Sequence, residues 1–146
     1  MTKSIKIILA IICTTILVGC CSACRQRQKN AKPLKGTEWH LVQMEGRDMT
    51  LPRESFNITM AEDGSLAGVG ACNRLLGQYT VSENYSISFG QVGTTMMLCP
   101  ENGELESRFT QLLGAVTHYD IDGNKLILLQ GGAIKAIFEA LPTSEK

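Results

Sequence analysis

The chain of 146 residues carries six cysteines, and their spacing divides them into two groups. Cys13, Cys20, Cys21 and Cys24 crowd the start, whereas Cys72 and Cys99 stand apart, 27 positions from one another. In an oxidising compartment two cysteines of a small domain are more often bridged than free. A structural disulfide, or a close unbridged pair, is therefore the first expectation for Cys72 and Cys99. Closing a loop of that length would stabilise by roughly 3 kcal/mol in the chain-entropy description. A redox-active pair is the alternative; only Arg74 stands close enough in sequence to lower a thiol pKa. The flanks, Gly68-Val69-Gly70-Ala71-Cys72-Asn73-Arg74 and Thr94-Thr95-Met96-Met97-Leu98-Cys99-Pro100, place each thiol among small or hydroxyl residues at a strand end.

Other chemistries lack their residues. Cys21-Ser22-Ala23-Cys24 has CxxC spacing, but a zinc site wants a second pair or paired histidines. The two histidines, His40 and His118, each sit alone in a predicted strand. A thioredoxin-like reading needs a helix starting at the motif. There is no Gly-x-Ser-x-Gly elbow and no phosphate loop of the Gly-x-x-x-x-Gly-Lys-Ser type, and neither histidine adjoins a nucleophile motif. No catalytic residue, metal ligand or cofactor is expected.

The first residues have an assignable chemistry. Lys3 and Lys6 precede an apolar run from Ile7 to Val18, too short against the roughly 20 residues a helix needs to cross a bilayer. A basic start, a short apolar core and small residues at its end make a secretory signal peptide, 1–19. Leu17-Val18-Gly19-Cys20 resembles the lipobox of bacterial lipoproteins. A thiol is the nucleophile that a diacylglyceryl group alkylates, and a small residue before it admits a peptidase. Cys20 is thus the expected lipidation site, and the CxxC is read as a by-product of this region. The resemblance implies a lipid-anchored protein of the bacterial cell envelope. With Cys21 rather than Asp after the lipidated residue, it implies the outer membrane if the host is Gram-negative.

Fourteen basic and fourteen acidic residues cancel over the chain but are unevenly placed. Residues 20–35 hold Arg25, Arg27, Lys29, Lys32 and Lys35 and no acid, while residues 36–146 hold seven basic and fourteen acidic residues, a net of −7. The cationic tether suits anionic headgroups; a solvated, flexible spacer, favoured by Gln26, Gln28, Asn30 and Pro33, accounts for it equally well. The acidic remainder, lacking a basic patch with interleaved aromatics, argues against nucleic acid.

The elements that must position Cys72 and Cys99 are mostly short strands. Thr37–Met44 ends at the Glu45-Gly46 turn. Phe56-Asn57-Ile58-Thr59-Met60 alternates and turns at Glu62-Asp63-Gly64 into Leu66–Gly70. Gln78–Val81 and Ser86–Phe89 form another pair. His118–Ile121, Leu126–Leu129 and Ala133–Leu141 make a three-stranded meander. Leu105, Phe109, Leu112, Leu113 and Val116 fall at helical spacing with Glu104, Glu106, Arg108 and Gln111 opposite. Pro100 and Glu101 suit the first turn, predicting one amphipathic helix over about 100–116. The class is α+β: a curved, mostly antiparallel sheet, with the helix packed on one face or plugging the mouth of a partly open barrel.

These residues resemble the META domain family, the domain of HslJ-like bacterial lipoproteins. The resemblance lies in Thr37-Glu38-Trp39-His40-Leu41, Asp63-Gly64, Gly68-Val69-Gly70, Cys72-Asn73-Arg74, Gly77-Gln78-Tyr79, Thr94 to Cys99, Glu106 with Phe109 and Leu113, and Tyr119, Gly123 and Leu126. It covers about residues 33–141 and places the domain at 36–141, with a tail at 142–146. Ala71 stands where a glycine usually precedes Cys-Asn, and Leu98 where an alanine usually precedes the second Cys. The resemblance implies a small envelope protein with no established activity, linked to stress or antibiotic tolerance and, in some parasites, to secretion and motility. Two functions follow as expectations. One is a non-enzymatic module that binds a protein, peptide or lipid through the paired Cys72-Asn73-Arg74 and Thr94-Thr95-Met96 segments, where polar residues without an evident core role concentrate. Asn73, Arg74, Thr94 and Thr95 are the candidate contacts. Asn73 and Thr94 serving only to satisfy backbone groups at turns is the plainer account of those positions. The other function is thiol redox sensing or exchange by Cys72 and Cys99.

Overall fold

In the computed structural model, which describes residues 31–142, the alternating segments become ten strands and one helix. The signal segment, Cys20, the CxxC and the basic residues Arg25, Arg27 and Lys29 lie outside the described residues, as does the tail from 143. The strands are β1 (Glu38–Met44), β2 (Arg47–Asp48), β3 (Asn57–Met60), β4 (Ser65–Val69), β5 (Arg74–Val81), β6 (Ile87–Phe89), β7 (Gly93–Thr94), β8 (His118–Asp122), β9 (Lys125–Gln130) and β10 (Ala133–Ala140). The helix, α1, spans Gly103–Ala115 between β7 and β8.

All neighbours pair antiparallel, in the order β6-β5-β4-β3-β1-β10-β9-β8, with β2 beside β1 and β7 beside β5. The sheet curls until its outer strands meet: Ile87 N–H donates to Thr117 O at 3.0 Å and Tyr119 N–H to Tyr85 O at 3.0 Å. No ladder continues across that seam, so the barrel is nearly closed rather than sealed. Near-closure leaves few unpaired backbone edges.

Inward alternation fills the interior. Trp39, Leu41, Ile58, Met60, Leu66, Leu75, Leu126, Leu128 and Phe138 are fully buried. Helix α1 plugs one end, pressing Phe109 edge-on to Phe56 at 5.5 Å and tilted against Phe138 at 6.1 Å. Burying three aromatic rings together contributes area and favourable ring geometry. Around that end lie the β1–β2 turn, the β4–β5 corner and the β9–β10 turn. The opposite end carries the β3–β4, β5–β6 and β8–β9 turns. The segment before β1 crosses it: Lys32 N–H bonds Gly123 O, Gly36 N–H bonds Met60 O, and Trp39 Nε1 donates to Leu34 O.

Four details depart from the sequence expectations. Strand β5 begins at Arg74 rather than Gln78, because its first residues find partners in β4 and in the unforeseen β7. Helix α1 begins at Gly103, not Pro100: Asn102 has a non-helical φ of −132°, so Pro100 and Glu101 lie in the preceding turn. Glu104 and Glu106 are the acids of the first turn. Glu106, expected on the solvent face, is buried.

Candidate functional site

The β4–β5 corner is shaped by two glycines. A Cβ at Gly68 would meet the Asn57 backbone oxygen at 2.3 Å, so strand β3 approaches too closely for any side chain there. A Cβ at Gly70 would meet Glu106 Oε2 at 2.5 Å. The space a side chain would fill at Gly70 is where the helix inserts its carboxylate.

That carboxylate accepts the backbone N–H of Cys72 at 3.1 Å and of Asn73 at 3.0 Å on Oε2, and Asn73 Nδ2 at 2.6 Å on Oε1. Burial pushes the Glu106 carboxyl up, but the N–H groups of Asn73, Cys72 and Ala71 and the Asn73 amide outweigh it, leaving the group below its ordinary value. Hydrogen bonds to the ionised form are the cause. Glu106 lies three residues before Phe109 and seven before Leu113, so it occupies the same helical stripe. An acid within an apolar stripe is the signal that marks it in the sequence.

Asn73 is buried and saturated. Its Nδ2 also donates to the Met97 carbonyl at 3.1 Å, while its Oδ1 accepts the Met97 N–H at 2.7 Å and the Thr95 hydroxyl at 2.8 Å. Thr95 Oγ1 in turn accepts the Arg74 N–H at 3.0 Å, and the Thr95 N–H reaches Arg74 O at 3.1 Å. Cys72 and Cys99 form a disulfide with Cα atoms 6.1 Å apart. Segment 95–99 is thus fastened to the sheet corner by one side-chain amide, one hydroxyl and one covalent bridge.

Of the residues singled out beforehand, Asn73, Arg74, Thr94 and Thr95 come together here, beside the disulfide. Asn73 is withdrawn from the surface; Arg74, Thr94 and Thr95 are exposed. Cys20 lies outside the described residues. The histidines fall in β1 and β8, and neither takes part in the hydrogen bonds of this corner given above. The sulfurs and the Glu106 carboxylate lie within 4.8 Å of one another, a metal-like cluster. Joined to each other, however, the sulfurs are not thiolate ligands, and the carboxylate already serves the backbone.

Beside the exposed Arg74, Thr94 and Thr95, the corner offers large apolar side chains to solvent. Met96 is 99% exposed, Met97 57% and Leu98 91%. Leu98 also borders a shallow hollow of about 300 Å³ with Ala71, Cys72, Cys99, Pro100, Glu101 and Asn102. Of these three only Met96 falls in a segment expected to form the surface; the sequence does not single out Met97 and Leu98, because apolar types are ordinarily assigned to a core.

This architecture has known counterparts. The family model of the META domain matches residues 32–140. The chain belongs to the META domain family. No curated protein matches it. Among solved structures, a protein from Burkholderia xenovorans determined by NMR is 22% identical with a TM-score of 0.59, covering 74% of this chain and 83% of that one. A DUF4847 family protein from Bacteroides vulgatus, a crystal structure, is 18% identical with a TM-score of 0.57, covering 77% and 96%. At these identities the likeness is one of fold. Ala71 and Leu98, the two residues at which this META domain differs from the expected pattern, lie in different surroundings. Ala71 packs against the core at the edge of the hollow, and Leu98 contributes nothing to the core at all.

Proposed function

We propose that this META domain is held in the bacterial cell envelope by a diacylglyceryl lipid on Cys20 and works without catalysis, as a docking module for a second envelope protein. One observation carries the reading: three consecutive large apolar side chains stand in solvent on a loop whose backbone is pinned by Asn73, Thr95 and the disulfide. A contiguous exposed apolar patch marks an interaction site, and a loop already ordered loses little entropy on binding. The side chains of Met96 and Leu98 stand almost fully in solvent and Leu98 borders a hollow, which suits a groove on a folded partner. The loop also lies at the barrel end opposite the segment that leads back to the tether. The stress tolerance implied by the family would then depend on this contact.

Thiol exchange gains no support from the site. The two sulfurs are joined to each other, and the charged group beside Cys99 Sγ is an anion, Glu106 Oε2 at 4.0 Å, not a cation that would favour a thiolate.

A photo-crosslinking residue at position 98 of the lipidated protein should give one discrete adduct in intact envelopes. The same residue at Glu83, in a turn at the other end, should not, and Met96→Asp should abolish the first adduct. Equal labelling from both positions would end the docking reading. Cys20→Ser should release the protein from the membrane fraction; retention would end the anchoring reading.

A further inference from the structure

The domain's methionines differ sharply in environment. Met44 is 3% exposed and Met60 is fully buried, Met49 packs against the core, and Met96 and Met97 project from the pinned loop. Asn73 grips Met97 only through its backbone N–H and carbonyl, so neither thioether takes part in holding the loop. Both sulfurs therefore combine free access with dispensability to the fold.

We propose that Met96 and Met97 are a methionine-sulfoxide modification site, oxidised by hypochlorous acid or a chloramine, and that their oxidation switches off docking by this loop. The second half rests on the docking reading above. In the chemical step the thioether sulfur gives an electron pair to the electrophilic chlorine of hypochlorous acid. The S–Cl bond forms as the Cl–O bond breaks, and the hydroxide that leaves takes up one of the two protons released in the next step. Water then adds to the chlorosulfonium, and loss of two protons and chloride leaves the sulfoxide. The sulfur is oxidised by two electrons and the chlorine is reduced to chloride. Hypochlorous acid is neutral, so the acidic surface does not repel it. The product replaces a soft apolar side chain by a polar, hydrogen-bond-accepting one, and a sulfoxide reductase restores the thioether. Because the loop's fastenings are backbone and disulfide, the domain stays folded while its surface changes character. An apolar anchor that loses its burial weakens association on the order of tenfold or more.

The test uses the full lipidated protein in detergent, titrated with hypochlorous acid and mapped by peptide mass spectrometry. Mass gain of one oxygen at Met96 and Met97 well before Met44 and Met60, with an unchanged melting temperature, is the expected result. Oxidation of Met44 or Met60 at the same rate would overturn the site. Envelopes are then treated likewise and crosslinked from position 98. Adduct yield should fall on the order of tenfold and return after incubation with a methionine sulfoxide reductase. A Met96→Leu/Met97→Leu variant should keep its adduct through oxidation. Undiminished crosslinking by an oxidised protein whose Met96→Asp variant does not crosslink would overturn the switch while leaving docking intact. Undiminished crosslinking by Met96→Asp itself would overturn docking, and the switch with it.

Discussion

Gly70 and Glu106 constrain each other at van der Waals range, and each explains the other's presence. The helix brings a carboxylate into the β4–β5 corner, and only a residue without a side chain leaves room for it. Glu106→Ala should cost about 2–3 kcal/mol, because the N–H groups of Cys72 and Asn73 lose their acceptor away from water. Gly70→Ala should cost on the order of 1–3 kcal/mol by displacing the carboxylate. In the Glu106→Ala background the same change should cost much less, a coupling that a urea double-mutant cycle measures directly. The carboxyl is held below its unfolded value, so its contribution is present above about pH 4.3 and fades as pH falls through the folded pKa. The urea midpoint should accordingly drop in that acidic range, and Glu106→Gln should show a shallower drop there.

Among the elements, the stretch from β7 to the start of α1 is the unusual one, for it has almost no regular structure of its own yet is doubly fastened. Removing the bridge by Cys72→Ser with Cys99→Ser should cost roughly 3 kcal/mol in chemical denaturation. The segment should nevertheless stay in place, since Asn73 holds it independently, and amide exchange at Met97 is the readout. Asn73→Ala should be more disruptive locally than loss of the disulfide, for it orphans the Met97 N–H and breaks the link to Thr95. Met96→Ser and Leu98→Ser should lie within about 0.5 kcal/mol of wild type, as expected of side chains that touch no core. A larger loss in thermal melts would mean that these residues pack in the folded protein.

At the scale of the whole molecule, charge and architecture share one axis. The segment that follows the basic stretch 25–35 meets the barrel at one end, the loop of Met96, Met97 and Leu98 lies at the other, and the residues from 36 onward carry a net of −7. An unlipidated protein beginning at Cys21 should bind anionic phosphatidylglycerol vesicles weakly through Arg25, Arg27 and Lys29. Each charge contributes on the order of 1 kcal/mol near the surface. Replacing all three by Gln, or raising salt to several Debye lengths' worth of screening, should abolish co-sedimentation. Binding that survives both changes would assign the tether to the role of spacer.

Read alone, the chain specifies its class through periodicity. Alternation in Phe56–Met60, Asp-Gly turns and the Leu105–Val116 stripe are local features, and local features survive translation into structure. The pairing of Cys72 with Cys99 was also legible, because a small domain with two thiols has one possible bridge. Tertiary contact decided the rest. Glu106, expected on the solvent face although it shares the stripe of Phe109 and Leu113, is drawn inside because the β4–β5 corner supplies three N–H groups to its carboxylate. Asn73, a candidate contact by its polarity, is consumed by four hydrogen bonds to partners that lie 22 to 33 positions away. Met97 and Leu98, apolar residues that no sequence pattern places, stand in water beside Met96 on a segment whose backbone is fastened from elsewhere. Periodicity records which face a residue would bury, whereas burial itself depends on what the rest of the chain brings to that face.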